Sequence, residues 1–201
     1  MKFDELNKLF KAYFNVMDIS EEDKRKREEC AFFFYDAVWY VLTMIRLDNE
    51  RERLESEDFY IKSLEYRIKD ALTENAIESE EDTIDEEYIP QMTREVIETT
   101  FRHLDEEYFL SEDRAVLIAQ NEANTVLNSA DYKQAKKQGK KYKQWIAEID
   151  SRTRPWHEEV NGIRIPIDDM FQVGNDSMRF PHDYTASPEN IVNCRCSCKY
   201  E

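Results

Sequence analysis

Glycine and proline are spread so unevenly along this 201-residue chain that they divide it. All three glycines (Gly139, Gly162, Gly174) and four of the five prolines (Pro155, Pro166, Pro181, Pro188) lie after residue 138. The first 138 residues contain only Pro90. Glycine reaches left-handed backbone conformations and proline fixes φ while removing a donor, so both mark turns. The front therefore reads as long helices and the back as short strands and loops. The expected architecture is α+β, with a helical region over 1–110 and a small domain of short strands and loops over 111–201.

Local signals fill in this outline. Ser20 with Asp23 three residues on resembles a capping box, with Asp in place of the usual Glu or Gln. An apolar run follows Cys30, and Ala31–Leu47 is short for a membrane span and contains Asp36 and Arg46. A buried bundle helix is the expectation there, with no membrane partner. Ile61, Leu64, Ile68 and Leu72 fall at helical spacing, as do Ile97, Phe101, Leu104 and Tyr108. Ser111 before Glu112 and Asp113 reads as another N-cap, opening a helix to about Ala130. Glu78–Glu87 is expected to be an exposed acidic loop. Farther on, alternation from Tyr142 predicts a strand, and Asn161-Gly162 between apolar residues predicts a hairpin. Gly174-Asn175-Asp176 predicts a turn, Thr185–Asn190 an irregular connection, and Ile191–Cys196 a last strand.

Charge narrows the functions. The chain carries 28 Lys and Arg against 44 Asp and Glu, a net −16. Such acidity argues against coating nucleic acid or an anionic membrane by charge. With 41% apolar residues there is still enough material for a core. Residues 1–100 hold 14 basic and 27 acidic residues, net −13, and residues 101–201 hold 14 and 17, net −3. Within the latter, residues 131–164 hold nine basic against five acidic residues, a local +4 that reads as a solvated face or a contact with phosphate. No secretory signal opens the chain, and four cysteines are too few and too clustered for a disulfide scaffold. Soluble, intracellular and globular is the expectation.

Most enzymatic signatures are missing: no phosphate-binding glycine loop, no Gly-x-Ser-x-Gly, no His-Glu-x-x-His. The sharpest chemical feature is Cys194, Cys196 and Cys198 in Cys-Arg-Cys-Ser-Cys. On a strand, residues two apart share a face. Three aligned sulfurs with His157 or His182 as a fourth donor would suit tetrahedral zinc. Thiols packed under a strand, or a redox role, fit the same pattern. Cys30 on an apolar helix face reads as core, and Trp39 with Phe32, Phe33, Phe34 and Tyr35 as core or subunit contact.

From Arg114 onward the motifs follow one another in a recognisable order. RAVLIAQNEANTVLNSA supplies Ile118, Ala119, Glu122 and Asn128. KQWIAEIDSRTRPWHEEVNG supplies Trp145, Asp150, Arg152, Arg154, His157 and Gly162. Phe171, Pro181, Asp183 and Asn193-Cys194-Arg195-Cys196 close the series. Over about 85 residues this resembles the phage Mu F-like head-morphogenesis family, also called minor capsid or minor head proteins. His182 departs from it, standing where glycine is commoner before the aspartate, and Cys198 is additional to the usual pair.

The resemblance implies a low-copy structural protein of a tailed-phage or prophage head, not an enzyme. It implies association with the portal protein and with capsid or scaffolding protein, entry into the assembling head, and a part in DNA packaging or ejection. Its location would be the virion, at the head interior or portal vertex, after assembly in the host cytoplasm. The basic strip would touch packaged DNA transiently. Some relatives carry a toxin domain after the Cys-Arg-Cys motif, and a chain stopping five residues after Cys196 is expected to be the minimal structural form. The metal expectation stays with His157, Cys194, Cys196 and Cys198 and with zinc. Competing readings are a small hydrolase or ADP-ribosyltransferase-like domain using Arg154, His157 and Glu122, and a zinc-stabilised adaptor with no phage connection.

Overall fold

A computed structural model describes residues 1–74 and 88–201, and the acidic stretch Glu78–Glu87 lies outside the described residues. Among them the helices are α1 (Phe3–Phe14), α2 (Glu21–Glu50), α3 (Glu57–Glu74), α4 (Tyr88–Arg102), α5 (Glu112–Lys137), α6 (Pro155–Glu159) and α7 (Pro188–Ile191). The strands are β1 (Tyr142–Ile146), β2 (Arg164–Pro166), β3 (Phe171–Val173), β4 (Asp176–Met178) and β5 (Ser197–Tyr200). The α+β expectation holds, with long helices in front and short antiparallel strands behind.

The chain divides into two units. One comprises Glu29–Ala119 with Met1, and the other Lys2–Glu28 with Gln120–Glu201. The division falls within α2 and α5. The net charge divides completely: the first unit holds 9 basic and 25 acidic residues, net −16, and the second holds 19 of each.

In the first unit, α2 buries one face: Cys30, Ala31, Phe34, Ala37, Val38, Val41, Leu42 and Ile45 recur every three or four residues. By length and composition alone α2 would also pass for a membrane span. Ile61, Leu64, Ile68 and Leu72 of α3 are buried as their spacing predicts, with Ile89, Met92, Val96 and Ile97 of α4. The pattern through Leu104 and Tyr108 overruns its helix, because α4 stops at Arg102 and Tyr108 is exposed. The buried Arg114 guanidinium occupies that end, donating to the Val96 carbonyl (3.2 Å), Thr100 Oγ1 (2.7 Å) and the Phe109 carbonyl (2.7 Å). Ser111 then caps α5 by accepting the Arg114 amide at 3.2 Å.

In the second unit, Ser20 caps α2: it accepts the Asp23 amide at 3.1 Å and donates to the Asp23 carboxylate at 2.6 Å. β1 is the central strand of an antiparallel sheet ordered β2-β1-β5, with Trp145 opposite Cys198, and β3 and β4 form a separate hairpin. Gly174-Asn175 makes that hairpin turn. Gly174 has φ +59°, and a Cβ there would stand 3.2 Å from the Trp156 ring, so its space and its conformation both require glycine. Trp145, Val160, Phe171, Val173, Met178, Cys194 and Cys196 form the core.

Three local expectations are corrected. Asn161-Gly162 joins α6 to β2 rather than two strands, held to the end of β1 by Ala147 N to Asn161 Oδ1 (2.9 Å) and Gly162 N to Trp145 O (2.8 Å). Part of the irregular connection is α7, started by Pro188 at its first turn. The last strand begins at Ser197, not Ile191, because Asn193 is left-handed at φ +59° and interrupts the extended path.

Residues 2–28 join this unit through specific polar contacts. Arg27 is 2% exposed; its Nε donates to Asn124 Oδ1 (3.2 Å) and its Nη2 to Asn128 Oδ1 (2.7 Å) and Asp131 (3.4 Å). Arg27→Leu strands two buried carboxamide oxygens and is expected to lower the unit's unfolding free energy by about 3 kcal/mol. Urea unfolding checks this, and a loss well under 1 kcal/mol would refute the role assigned to Arg27.

Candidate functional site

The site forms where α6 meets the segment after α7. Pro155 opens α6 and places His157 on its buried side. Cys194 and Cys196 follow α7 in a short irregular run, both buried. His157 Nδ1 stands 3.6 Å from Cys194 Sγ and 3.4 Å from Cys196 Sγ. The three atoms lie within 4.8 Å of one another.

A polar chain fixes the imidazole. Asn190 Oδ1 accepts from Trp156 Nε1 at 2.6 Å and lies 3.1 Å from His157 Nε2. The Asn190 amide nitrogen donates to the Val173 carbonyl (3.0 Å) and to Asp176 Oδ2 (2.8 Å). With its nitrogen donating on that side, the Asn190 oxygen is the acceptor on the other, so His157 carries its proton on Nε2. Nδ1 therefore presents a lone pair to the two sulfurs.

The thiols differ. Burial pushes Cys194 up and a hydrogen bond from the Cys196 thiol opposes it, and on balance the thiol lies well below its usual range. Cys196 moves well above that range, through its bond to Cys194 and through burial. That arrangement suits a soft cation or a shared proton.

Of the four expected ligands, the structure brings together His157, Cys194 and Cys196. Cys198 stands apart on β5, where burial raises its thiol to about 12 beside Lys143 and Tyr200. The alternative donor, His182, adjoins Cys194: its Nε2 is 2.6 Å from the Cys194 carbonyl, and its Nδ1 is buried without a hydrogen-bond partner. The expectation of three sulfurs on one strand face meets a chain in which only Cys198 lies on a strand.

The description "Phage Mu protein F like protein" matches residues 67–199, about two-thirds of the chain. The chain belongs to the phage Mu protein F-like family. This makes it a phage head-related protein, and it extends the match well upstream of the motifs at Arg114. A 100-residue stretch is also 34% identical to the NAD(+)–arginine ADP-ribosyltransferase EFV of Enterococcus faecalis, covering 48% of this chain and 20% of that protein. The chain therefore spans about a fifth of that relative's length. No solved structure matched the chain.

Motif residues of this Mu F-like chain hold backbone in place. Asn128 donates to the Pro181 carbonyl at 2.9 Å. Arg154 donates to the Val192 carbonyl at 2.7 Å. Arg195 makes a two-pronged contact with Asp150 (2.7 and 2.8 Å), which also takes Arg152 at 3.1 Å. Arg195 above all holds the Asp150 carboxyl well below the usual range. Asp183, fully buried, takes two guanidinium contacts from Arg179 and the Thr185 hydroxyl. Sequence reasoning missed Asn190, Asp176, Asn121 and Lys143, whose partners are distant in the chain. Their residue types are common enough that no local pattern marks them.

Lys143 gives a pH signature. It is fully buried, donates to the Arg179 carbonyl at 2.6 Å, and lies over the Tyr132 and Phe171 rings. Burial lowers it to about 8. Unfolded, it holds its proton to the ordinary lysine range, near ~10.4. Between these values the unfolded chain binds more protons, so this group's contribution to stability rises with pH. Relative to Lys143→Met, the native chain is expected to gain stability from about pH 8 to 10 in urea titrations. A difference that stays flat over that range would contradict it.

Proposed function

We propose that this protein is a low-copy minor head protein of a tailed phage or prophage, acting at the portal vertex in head morphogenesis and in DNA packaging or ejection. The family match over residues 67–199 carries the reading. Assembly would take place in the host cytoplasm before the protein enters the virion.

The two units suggest a division of labour. The first unit holds the whole net charge of −16 and would be steered toward a basic surface on the portal or capsid. It also has an open groove lined by Phe33, Tyr40, Phe59 and Tyr66 with Asp36 and Asp70. Tyr66 is 70% exposed, and Tyr40 and Phe59 are nearly half exposed. Exposed aromatics inside an acidic surround are the expected anchors of a docking face, and the portal protein is the proposed occupant.

The second unit is neutral and would act as a rigid plug. Within its basic strip, Lys136, Arg152 and Arg164 pair with Asp168, Asp150 and Glu201, and Lys143 is buried. Any contact with packaged DNA would be transient.

We assign no catalytic role. Arg154 and His157, two of the three residues named with Glu122 for a transferase or hydrolase, are bonded to the Val192 carbonyl and to Asn190. The transferase activity named for the Enterococcus relative belongs to a protein of which this chain covers a fifth. Nicotinamide release from NAD+ by the purified chain would contradict this assignment.

Deleting the front of the chain is a poor test, since it removes α1 and Arg27 from the second unit. Tyr66→Glu with Phe59→Glu charges the groove and leaves both cores intact. Quantitative mass spectrometry of purified heads is expected to find the native chain at a few copies per head and the double variant reduced at least tenfold. Equal incorporation would reject the docking face, and absence of the native chain from heads would reject the head reading itself.

A further inference from the structure

We infer that His157 Nδ1, Cys194 Sγ and Cys196 Sγ, which lie within 4.8 Å of one another, bind one zinc ion. The inference is independent of the head-protein reading.

Distance is the first argument. Zinc–nitrogen bonds of about 2.0–2.1 Å and zinc–sulfur bonds of about 2.3 Å at a tetrahedral angle put nitrogen and sulfur roughly 3.5 Å apart. His157 Nδ1 stands at 3.6 and 3.4 Å from the two sulfurs. These are the edges of a tetrahedron already in place.

The second argument is ring orientation. A zinc-bound imidazole normally donates its other N–H to an oxygen, which fixes the tautomer and aims the lone pair. His157 Nε2 has Asn190 Oδ1 at 3.1 Å. The ring is therefore held by Nε2 with Nδ1 left over. Asp176 completes the outer support, accepting from Asn190 at 2.8 Å and from Ser187 Oγ at 2.6 Å.

The third argument is what remains unsatisfied. A buried polar atom without a partner is costly. One lies beside these thiols, the Trp145 indole nitrogen, which neighbours Cys196. Zinc binding expels the remaining thiol protons to solvent, leaving two thiolates, one of which can accept from Trp145. Two thiolates against one divalent cation make the buried site neutral, as a low-dielectric location requires.

His157, Cys194 and Cys196 are all buried, away from any substrate in solution. The site would staple α6 to the Cys-Arg-Cys segment as a structural centre. Cys198 is no part of it.

The test uses the untagged full-length chain purified under reducing conditions. Elemental analysis is expected to find one zinc per chain. Cobalt(II) exchanged for it should show tetrahedral d–d bands and thiolate-to-cobalt charge transfer. Cys194→Ser and Cys196→Ser should lose the metal, and Cys198→Ser should keep full occupancy. To separate metal loss from a folding failure of the serine variants, chelator-stripped native chain is titrated as well, and its melting temperature should rise with zinc and not with magnesium. A stripped chain that melts unchanged and takes up no zinc would overturn the inference, as would loss of metal in Cys198→Ser.

Discussion

One carbonyl organises the second unit. The oxygen of Cys194 receives the Tyr13 hydroxyl from α1 at 3.0 Å, the Asn124 amide from α5 at 3.4 Å and His182 Nε2 at 2.6 Å. A carbonyl has two lone pairs, so three donors saturate it from three directions. The neighbouring residues are fastened in turn. Asn190 holds His157 and Trp156, Val192 accepts Arg154, the Asn193 amide donates to Asn121 at 2.8 Å, and Arg195 grips Asp150. Here the chain's beginning, its long α5 and its last turn are tied together. The core of Trp145, Phe171, Val173 and Met178 closes over the same segment.

That arrangement gives each of the chemically versatile residues gathered there a bonding role in the fold. Arginine, histidine and cysteine are used for the number and direction of their bonds: guanidinium groups reach several acceptors, imidazole joins two partners across a ring, and thiols fit where a hydroxyl would demand more hydrogen bonding.

Much of this was legible in the sequence, and what was not has physical causes. Ser20 and Ser111 marked helix starts because capping is a local bond between residues three apart. Gly174-Asn175 marked its hairpin because the turn conformation is local too. The end of α4 escaped because Arg114, twelve residues beyond Arg102, sets it. The Cys-Arg-Cys segment alternated like a strand, yet tertiary bonds to Asn121, Tyr13 and Asn124 hold it irregular until Ser197. His157, Cys194 and Cys196 could be nominated from residue type, whereas excluding Cys198 needed the true start of β5. The association of residues 2–28 with the C-terminal unit had no local signal.

The central claim is that the segment from Asn190 to Cys196 fastens the second unit rather than hanging from it as a loop. Native-state hydrogen exchange tests this most directly. The Asn193 amide, bonded to Asn121, and the Cys196 amide, 3.4 Å from Cys194 Sγ, are expected to exchange only through unfolding of the whole unit, at the same free energy as the Trp145 amide in β1. Exchange of those two amides at the rate of an open loop, with Trp145 still protected, would contradict it.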